Sequence, residues 1–320
     1  MKKIYIGIDV AKLSFVAAIK EDDKDRVKLF ANDDKGFKEF VTWVDKLSDG
    51  QYHFCLESTG QYGDALALFL YNAKHTVSVV NPAKIKYFMR SQLSRNKTDS
   101  VDAKFIRYYA ELFSPTAWSP LPLETQELQA LVKRRDSLKN MLLQEENRIE
   151  NADEIIKMSI DSHIDYLKKE IEAIEEKTTL HINNHVEFKK DAELLRSIPG
   201  IGEITTSKAL AFFSDLTQFK NAKQIVAFIG LNPQHTQSGT SLNYSHISKT
   251  GNAELRKMLF MPALVAIQRE PNIKAFYEKL IGKGKAKKVA ICAVMRKLVH
   301  IIYGVLKSQK PFNPELICAH

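Results

Sequence analysis

Ile4-Tyr5-Ile6-Gly7-Ile8-Asp9-Val10, then Ala11-Lys12, then Phe15-Val16-Ala17-Ala18-Ile19 is the stretch that decides the fold. Both apolar runs are rich in β-branched and aromatic residues, and the polar link between them is too short for anything but a hairpin. The first strand delivers an acid, Asp9, near its end. A third run, Phe54-Cys55-Leu56-Glu57, repeats that arrangement, and a Ser-Thr-Gly turn follows it.

Outward from these runs, strands are expected at 4–10, 14–20, 26–31, 52–57 and 76–80, and helices at 35–48, 61–74, 82–92 and 99–113. Gly60 and the Asn81-Pro82 step punctuate them. The alternation gives residues 1–122 an α/β layer fold with a mixed, RNase H-like sheet. The proline-rich stretch from Pro115 to Pro122 marks the exit. Asp99 and Asp102, three apart on a helix, face one way. Each acid alone is an ordinary turn, cap or solvated residue. Together, Asp9, Glu57, Asp99 and Asp102 offer hard oxygen donors from two strand ends and one packed helix. Such a set suits two divalent cations about 4 Å apart, which clamp the attacking and leaving oxygens of a phosphodiester.

Residues 124–180 contain neither Pro nor Gly and are dense in Lys, Glu, Leu and Ile. Leu128, Leu142, Ile149 and Ile156 keep a seven-residue step that breaks at Arg135. A second phase, Ile160, Ile164, Leu167, Ile171 and Ile174, is offset by four. The pattern fits a stutter in a coiled-coil seam, two antiparallel helices meeting near Ser159 to Ser162, or an arm packed on its own domain. Residues 123–185 are therefore expected as a helical, coiled-coil spacer. The remainder, 186–320, is expected as a mainly α domain. In it, Ser197-Ile198-Pro199-Gly200-Ile201-Gly202 between two apolar helices has the form of a helix-hairpin-helix. Gly200 and Gly202 would let backbone approach a phosphate closely.

Further on, Phe228-Ile229-Gly230-Leu231-Asn232-Pro233 leads to Gln237-Ser238-Gly239-Thr240-Ser241, then to Ile247-Ser248-Lys249-Thr250-Gly251-Asn252 and a helix bearing Arg256 and Lys257. A Ser-Gly pair is ordinarily a turn. Here Lys249, Arg256 and Lys257 could hold a phosphate beside the hydroxyl. A serine needs a base or metal to become a nucleophile, and no Gly-x-Ser-x-Gly elbow supplies a hydrolase setting.

The formal net charge of +9 over 320 residues favours a polyanionic partner. Arg90, Arg95, Lys97, Lys104 and Arg107 are candidates to track phosphates, as are Lys283, Lys285, Lys287 and Lys288, followed by Arg296 and Lys297. The three cysteines, Cys55, Cys292 and Cys318, form no CxxC pair, which argues against a disulfide framework or zinc ribbon. With no signal-peptide pattern and no apolar stretch reaching about 18 residues, the chain reads as soluble, cytoplasmic and nucleoid-associated, with no membrane partner.

Taken together, these blocks resemble transposases of the insertion-sequence 110 family, including its 1111 subgroup, over nearly the whole chain. The matching blocks are Ile-Gly-Ile-Asp-Val-Ala-Lys, Leu-Glu-Ser-Thr-Gly, Val-Val-Asn-Pro, Asn-Lys-Thr-Asp-Ser-Val-Asp-Ala, Ser-Ile-Pro-Gly-Ile-Gly, Gly-Leu-Asn-Pro, Gln-Ser-Gly and Ile-Ser-Lys-Thr-Gly-Asn. The resemblance implies an N-terminal domain like that of the Holliday-junction resolvase RuvC, with an acidic tetrad falling on Asp9, Glu57, Asp99 and Asp102. It also implies Mg²⁺, with Mn²⁺ as a substitute, and a nucleophilic serine at Ser238, with Ser241 as the second choice. Donor and target DNA, a structured non-coding guide RNA encoded by the element, and assembly into a dimer or tetramer are implied in the same way. Two rival readings stay open: a metal-dependent, structure-specific nuclease that uses water, and a nucleic-acid-binding protein without catalysis.

Overall fold

The computed structural model describes residues 3–22, 24–47, 50–58, 60–92, 98–216, 219–238 and 242–317. The chain folds as two compact units, Met1–Leu121 and Pro122–His320.

In the first unit, β1 (Lys3–Val10), β2 (Ser14–Glu21) and β3 (Lys24–Ala31) form an antiparallel meander. After α1 (Asp34–Leu47), β4 (Gln51–Glu57) adds alongside β1 in parallel. A 3-10 turn and α2 (Asp64–Asn72) then lead to β5 (Thr76–Val80), parallel to β4. The mixed five-stranded sheet has the order β3-β2-β1-β4-β5, a RuvC-like α/β arrangement. α3 (Pro82–Ser91) and α4 (Asp99–Phe113) complete the unit.

Side-chain alternation assigns the two faces. Ile4, Ile6, Ile8 and Val10 of β1 pack with Phe15, Ala17, Phe54 and Leu56 against Phe37 and Phe40 of α1 and Leu66 and Leu70 of α2. On the opposite face, Cys55 and Tyr5 meet Ile85 of α3 and Ile106 and Ala110 of α4, while Val16 and Ala18 meet Ala103. Both faces are covered, which explains why the inner strands are apolar at nearly every position.

In the second unit, α5 (Leu123–Ile149) and α6 (Glu154–Asn184) lie against each other as an antiparallel hairpin. Leu138 and Leu142 of α5 face Ile164, Leu167 and Ile171 of α6, so the second phase is the α6 seam; of the first phase Leu142 and Ile149 join it, while Leu128 packs in the unit's main core and Ile156 falls on α6, exposed. The turn occupies residues 150–153 and not Ser159 to Ser162. Asn151 and Asp153 end one helix and lead into the next, as turn-forming Asx residues do. Ser162 stays helical, its hydroxyl donating back to the Met158 carbonyl at 2.9 Å. Arg135, which breaks the seven-residue step, ion-pairs with Glu175 across the hairpin at 2.7 Å.

α7 (Val186–Arg196), α8 (Glu203–Phe213) and α9 (Ala222–Ile229) follow, then β6 (Pro233–Ser238) and β7 (Leu242–Ile247). α10 (Ala253–Met258), α11 (Phe260–Arg269), α12 (Pro271–Gly282) and α13 (Lys287–Ser308) close the unit. Val294, Leu298 and Ile302 of α13 are buried with Leu195, Leu210, Ile225 and Ala263, and Leu128, Val132 and Ile182 from the hairpin's base join the same core. α13 also corrects the reading of the sequence, since it is long and apolar enough to cross a membrane by length and composition. Its apolar face is spent on this core.

Candidate nucleic-acid-processing site

Asp9 and Glu57 occupy the same strand positions on neighbouring strands. β1 and β4 pair in parallel with Ile8 opposite Leu56, so the next residues along, Asp9 and Glu57, come side by side. Asp9 is two residues beyond Gly7, and Glu57 two beyond Cys55, so both project from the face that α4 covers. α4 runs antiparallel to β1. Its Ala103 and Arg107 sit over Gly7, while Ser114, just past its end, shares a 2.8 Å hydrogen bond with Tyr5. The first turn of α4 therefore lies toward the Asp9 end of the strand. Thr98 caps it, accepting from Val101 N at 3.3 Å, and Asp99 and Asp102 stand in that turn, where a helix N-terminus favours negative charge. Asp102 is half-buried, as are Asp9 and Glu57; Asp99 is exposed.

Two residues not singled out for this purpose fix the approach of α4. A Cβ on Gly7 would collide with the Ala103 carbonyl oxygen and the Arg107 nitrogen, so helix backbone rests directly on strand backbone. A glycine inside an apolar strand is the signal that could have marked such an approach in the sequence. Arg107 is no phosphate contact. Its side chain is only 9% exposed, and it donates to Asp25 of β3 at 2.9 Å and to Glu111 at 2.6 Å. Lys104 is half-buried on the same helix. Arg95 and Lys97 lie outside the described residues.

The donor chemistry fits a divalent cation: carboxylate oxygens, with no thiolate or imidazole among the four, suit Mg²⁺ or Mn²⁺. The facing also fits for Asp9, Glu57 and Asp102. Among the described residues, though, no three acidic, histidine or cysteine side chains stand close enough to share one ion. The sheet ends and the helix turn are in place; the side chains are not drawn into one shell.

In the second unit, the two glycines of the turn between α7 and α8 have separate roles. Gly200 has φ +90°, and a Cβ there would strike the Pro262 carbonyl of α11, so this glycine serves packing. Gly202 has φ −100°, with nothing within 4 Å of its Cβ position, leaving its backbone open to an outside partner. Arg196 and Glu203 close the turn with two 2.7 Å hydrogen bonds.

Ser238 ends β6, paired with Leu242 where the β6-β7 ribbon closes. The expected loop is thus the far end of a two-stranded hairpin. Gly239, Thr240 and Ser241 lie outside the described residues. The ribbon's base is tied firmly: Ser248 N donates to Asn232 O at 3.0 Å, Ser248 Oγ to Asn232 Oδ1 at 2.7 Å, and Lys249 N to Gly230 O at 3.2 Å. Gly251, at φ +143°, brings its backbone against the Phe228 carbonyl. Arg256 donates to Ile229 O at 2.8 Å, capping α9, so part of its guanidinium is already committed to the fold. Lys249, in a left-handed conformation at φ 53°, and Lys257 are exposed, as are Lys283, Lys285, Lys287 and Lys288 around the start of α13.

Comparison with known proteins gives two matches, the first of which runs past the first unit through α5. Residues 6–154 fit a transposase profile of the DEDD IS110 type, and residues 192–278 fit the transposase IS116/IS110/IS902 family. Over 320 residues the chain is 35% identical to the pilin gene-inverting protein of Moraxella bovis, covering 99% of both. The chain belongs to the IS110/IS116/IS902 transposase family. It is also 27% identical over 278 residues to the transposase of insertion element IS1111A from Coxiella burnetii, covering 73% of this chain and 72% of that one. As a transposase of this family it is a DNA phosphoryl-transfer enzyme. In this family a domain of the DEDD type implies a divalent metal.

Proposed function

We propose that this transposase cuts and rejoins DNA through a covalent intermediate on Ser238. The observation that carries this reading is the placement of Ser238 at the closing end of a ribbon whose base is pinned by Asn232, Gly230 and Arg256. A residue at the closing end of such a ribbon can reach a DNA backbone without displacing the helical core. The Ser238 oxygen bonds to phosphorus, the bond to one strand's oxygen breaks, and the serine proton ends on that departing oxygen. The phosphodiester becomes a phosphoserine ester of similar energy, so a second strand's hydroxyl can reverse the step and rejoin DNA without a high-energy cofactor. Lys249 supplies positive charge beside the ribbon.

Asp9, Glu57 and Asp102, with Asp99 from the same helix turn, would hold Mg²⁺ or Mn²⁺. When bound, the ion would polarise the phosphate and help lower the cost of ionising the hydroxyl. Both halves of the chemistry are needed and lie on separate units. The name of the Moraxella relative describes inversion of a gene, and inversion needs the same paired cutting and rejoining. A structured RNA encoded by the element, as guide, and a dimer or tetramer complete the proposal. The exposed lysines 283, 285, 287 and 288 are suited to RNA or DNA backbone.

Trapping denatured protein on cleaved DNA and mapping the linked residue tests the reading. Attachment at Ser238, abolished in Ser238→Ala with DNA binding retained, is expected. Cleaved DNA with no attached protein overturns it and leaves a hydrolytic nuclease.

A further inference from the structure

α12, the outer face of α13 and the chain that follows it enclose a groove of about 1110 Å³. Its outer wall is built and held. Gln309, left-handed at φ 53°, turns the chain back at the end of α13, and its side chain donates to Asp191 Oδ1 at 2.8 Å. Phe312 N donates to Ser197 Oγ at 2.8 Å, and Asn272 Nδ2 donates to Pro314 O at 3.1 Å. The segment carrying Lys310 and Phe312 is thereby fixed to α7, α12 and the turn after α7.

The lining has one sign of charge. Arg296, Lys297 and Lys310 face the groove beside His300, and among the described residues no Asp or Glu lines it. Beside the cations stand flat apolar surfaces, Phe276 and Phe312, both partly exposed, with Lys297 Nζ 5.1 Å over the Phe276 ring. Gly304 lies on the floor, and a Cβ there would meet nothing within 4 Å. Glycine weakens a helix interior, and here no crowding demands it; what it does is keep the floor bare. Burial and the neighbouring Arg296, Lys223 and Lys297 hold the His300 pKa below its ordinary value. Its neutral imidazole can therefore both donate and accept at a base edge.

A ligand for these walls is anionic, and it carries flat rings that stack. A nucleotide has both properties. A rigid duplex buries its base faces inside its own stack, so it offers phosphates but no rings to Phe276 and Phe312. An unpaired strand offers both.

We propose that this groove binds an unpaired single strand of nucleic acid, with bases on Phe276 and Phe312 and phosphates on Arg296, Lys297 and Lys310. The proposal rests on the recombinase reading only in that strand exchange supplies such a strand, either displaced DNA or a loop of RNA.

The test uses the full chain and fluorescence anisotropy with labelled oligo(dT) and oligo(rU) of about 12 residues and a duplex of the same length. Gly304→Leu fills the groove from a position with room for it and improves helix propensity, so a melting temperature at or above wild type is expected. Single-strand affinity should fall about tenfold or more in Gly304→Leu and in Phe312→Ala, with duplex affinity within about twofold of wild type. Arg296→Gln should reduce the slope of log affinity against log salt by about 0.7 for the single strands. A preference for oligo(rU) assigns the groove to RNA and one for oligo(dT) assigns it to displaced DNA; equal binding fits stacking alone. Unchanged single-strand affinity in both groove variants, or duplex affinity falling in parallel, overturns the proposal. Adduct trapping on the same preparations separates the two ideas. A wild-type adduct with no groove-dependent binding fails this proposal alone, whereas absence of the adduct fails the recombinase reading and leaves the binding result standing.

Discussion

Gly7→Ala is the most economical way to ask whether α4 sets the acidic site. The added methyl would lie 2.8 Å from Arg107 Cα, and closer still to the Ala103 oxygen and the Arg107 nitrogen. These are helix backbone atoms, so no side chain can rotate away. Moving from 2.8 Å to the 3.4 Å of ordinary contact needs a retreat of about 0.6 Å for the least crowded atom, and the closer pair, at 2.2 Å, raises this to about 1.2 Å. Overpacking of this kind costs about 1–3 kcal/mol. In a unit of this size each kcal/mol lowers the melting temperature by roughly 4 °C or more. Asp99 and Asp102 ride on the displaced helix, and a misplacement near 1 Å can cost about a hundredfold in rate. The assay pairs thermal melting with single-turnover cleavage of a DNA substrate at saturating Mg²⁺. The reasoning predicts a cleavage loss well beyond what the unfolded fraction explains. Wild-type melting and wild-type cleavage together would mean that α4 does not rest on β1 as described.

The other predictions follow from contacts already described. Gly202→Val should fold normally yet weaken binding to all DNA sequences alike, whereas Gly200→Ala should destabilise the second unit through φ +90° and the Pro262 carbonyl; melting and binding isotherms for the pair would separate the roles, and equal behaviour would contradict them. Burial lowers the pKa of His53, whose Nε2 pairs with Ser78 Oγ at 2.8 Å, and of His75. As pH falls through the unfolded value of 6.5 the unfolded chain takes up protons before the folded one does, so stability should drop as pH falls through and below about 6.5, and a flat melting profile there would refute the assignment. Mg²⁺ at about 100 times its dissociation constant should stabilise the first unit by about 2.7 kcal/mol, reversibly with chelator. Asp9→Asn should remove most of that gain, and an unaltered gain would take Asp9 out of the metal shell.

The first unit was largely legible because its signals are local. Five strand-like runs with clear breaks between them became five strands. The facing of Asp9 and Glu57 follows from a period of two and needs no tertiary knowledge. What stayed hidden depends on partners far along the chain. Arg107 looked like a surface cation because neither Asp25, 82 residues away, nor the burial of its helix face is marked near it. The α5-α6 turn lacks glycine and proline, so the apolar phases were visible while their junction was misplaced. The β6-β7 ribbon runs Pro-Gln-His-Thr-Gln-Ser, too polar to alternate as a buried strand does. Arg256 became a helix cap only once Ile229 came beside it.

The order of elements along the chain bears on how the protein is made. Every strand and helix of the first unit lies before Leu121, so the sheet and its four carboxylates can assemble as soon as that length has left the ribosome. The second unit has no such freedom. Leu128 and Val132 at its start wait for Ile182, and the core they enter is completed by α13, which ends at Ser308. From Leu121 to Ser308 a ribosome needs on the order of ten to forty seconds. Throughout that interval the nascent chain carries its first unit finished and its second unit open, so any activity that needs both units arrives only with the last long helix.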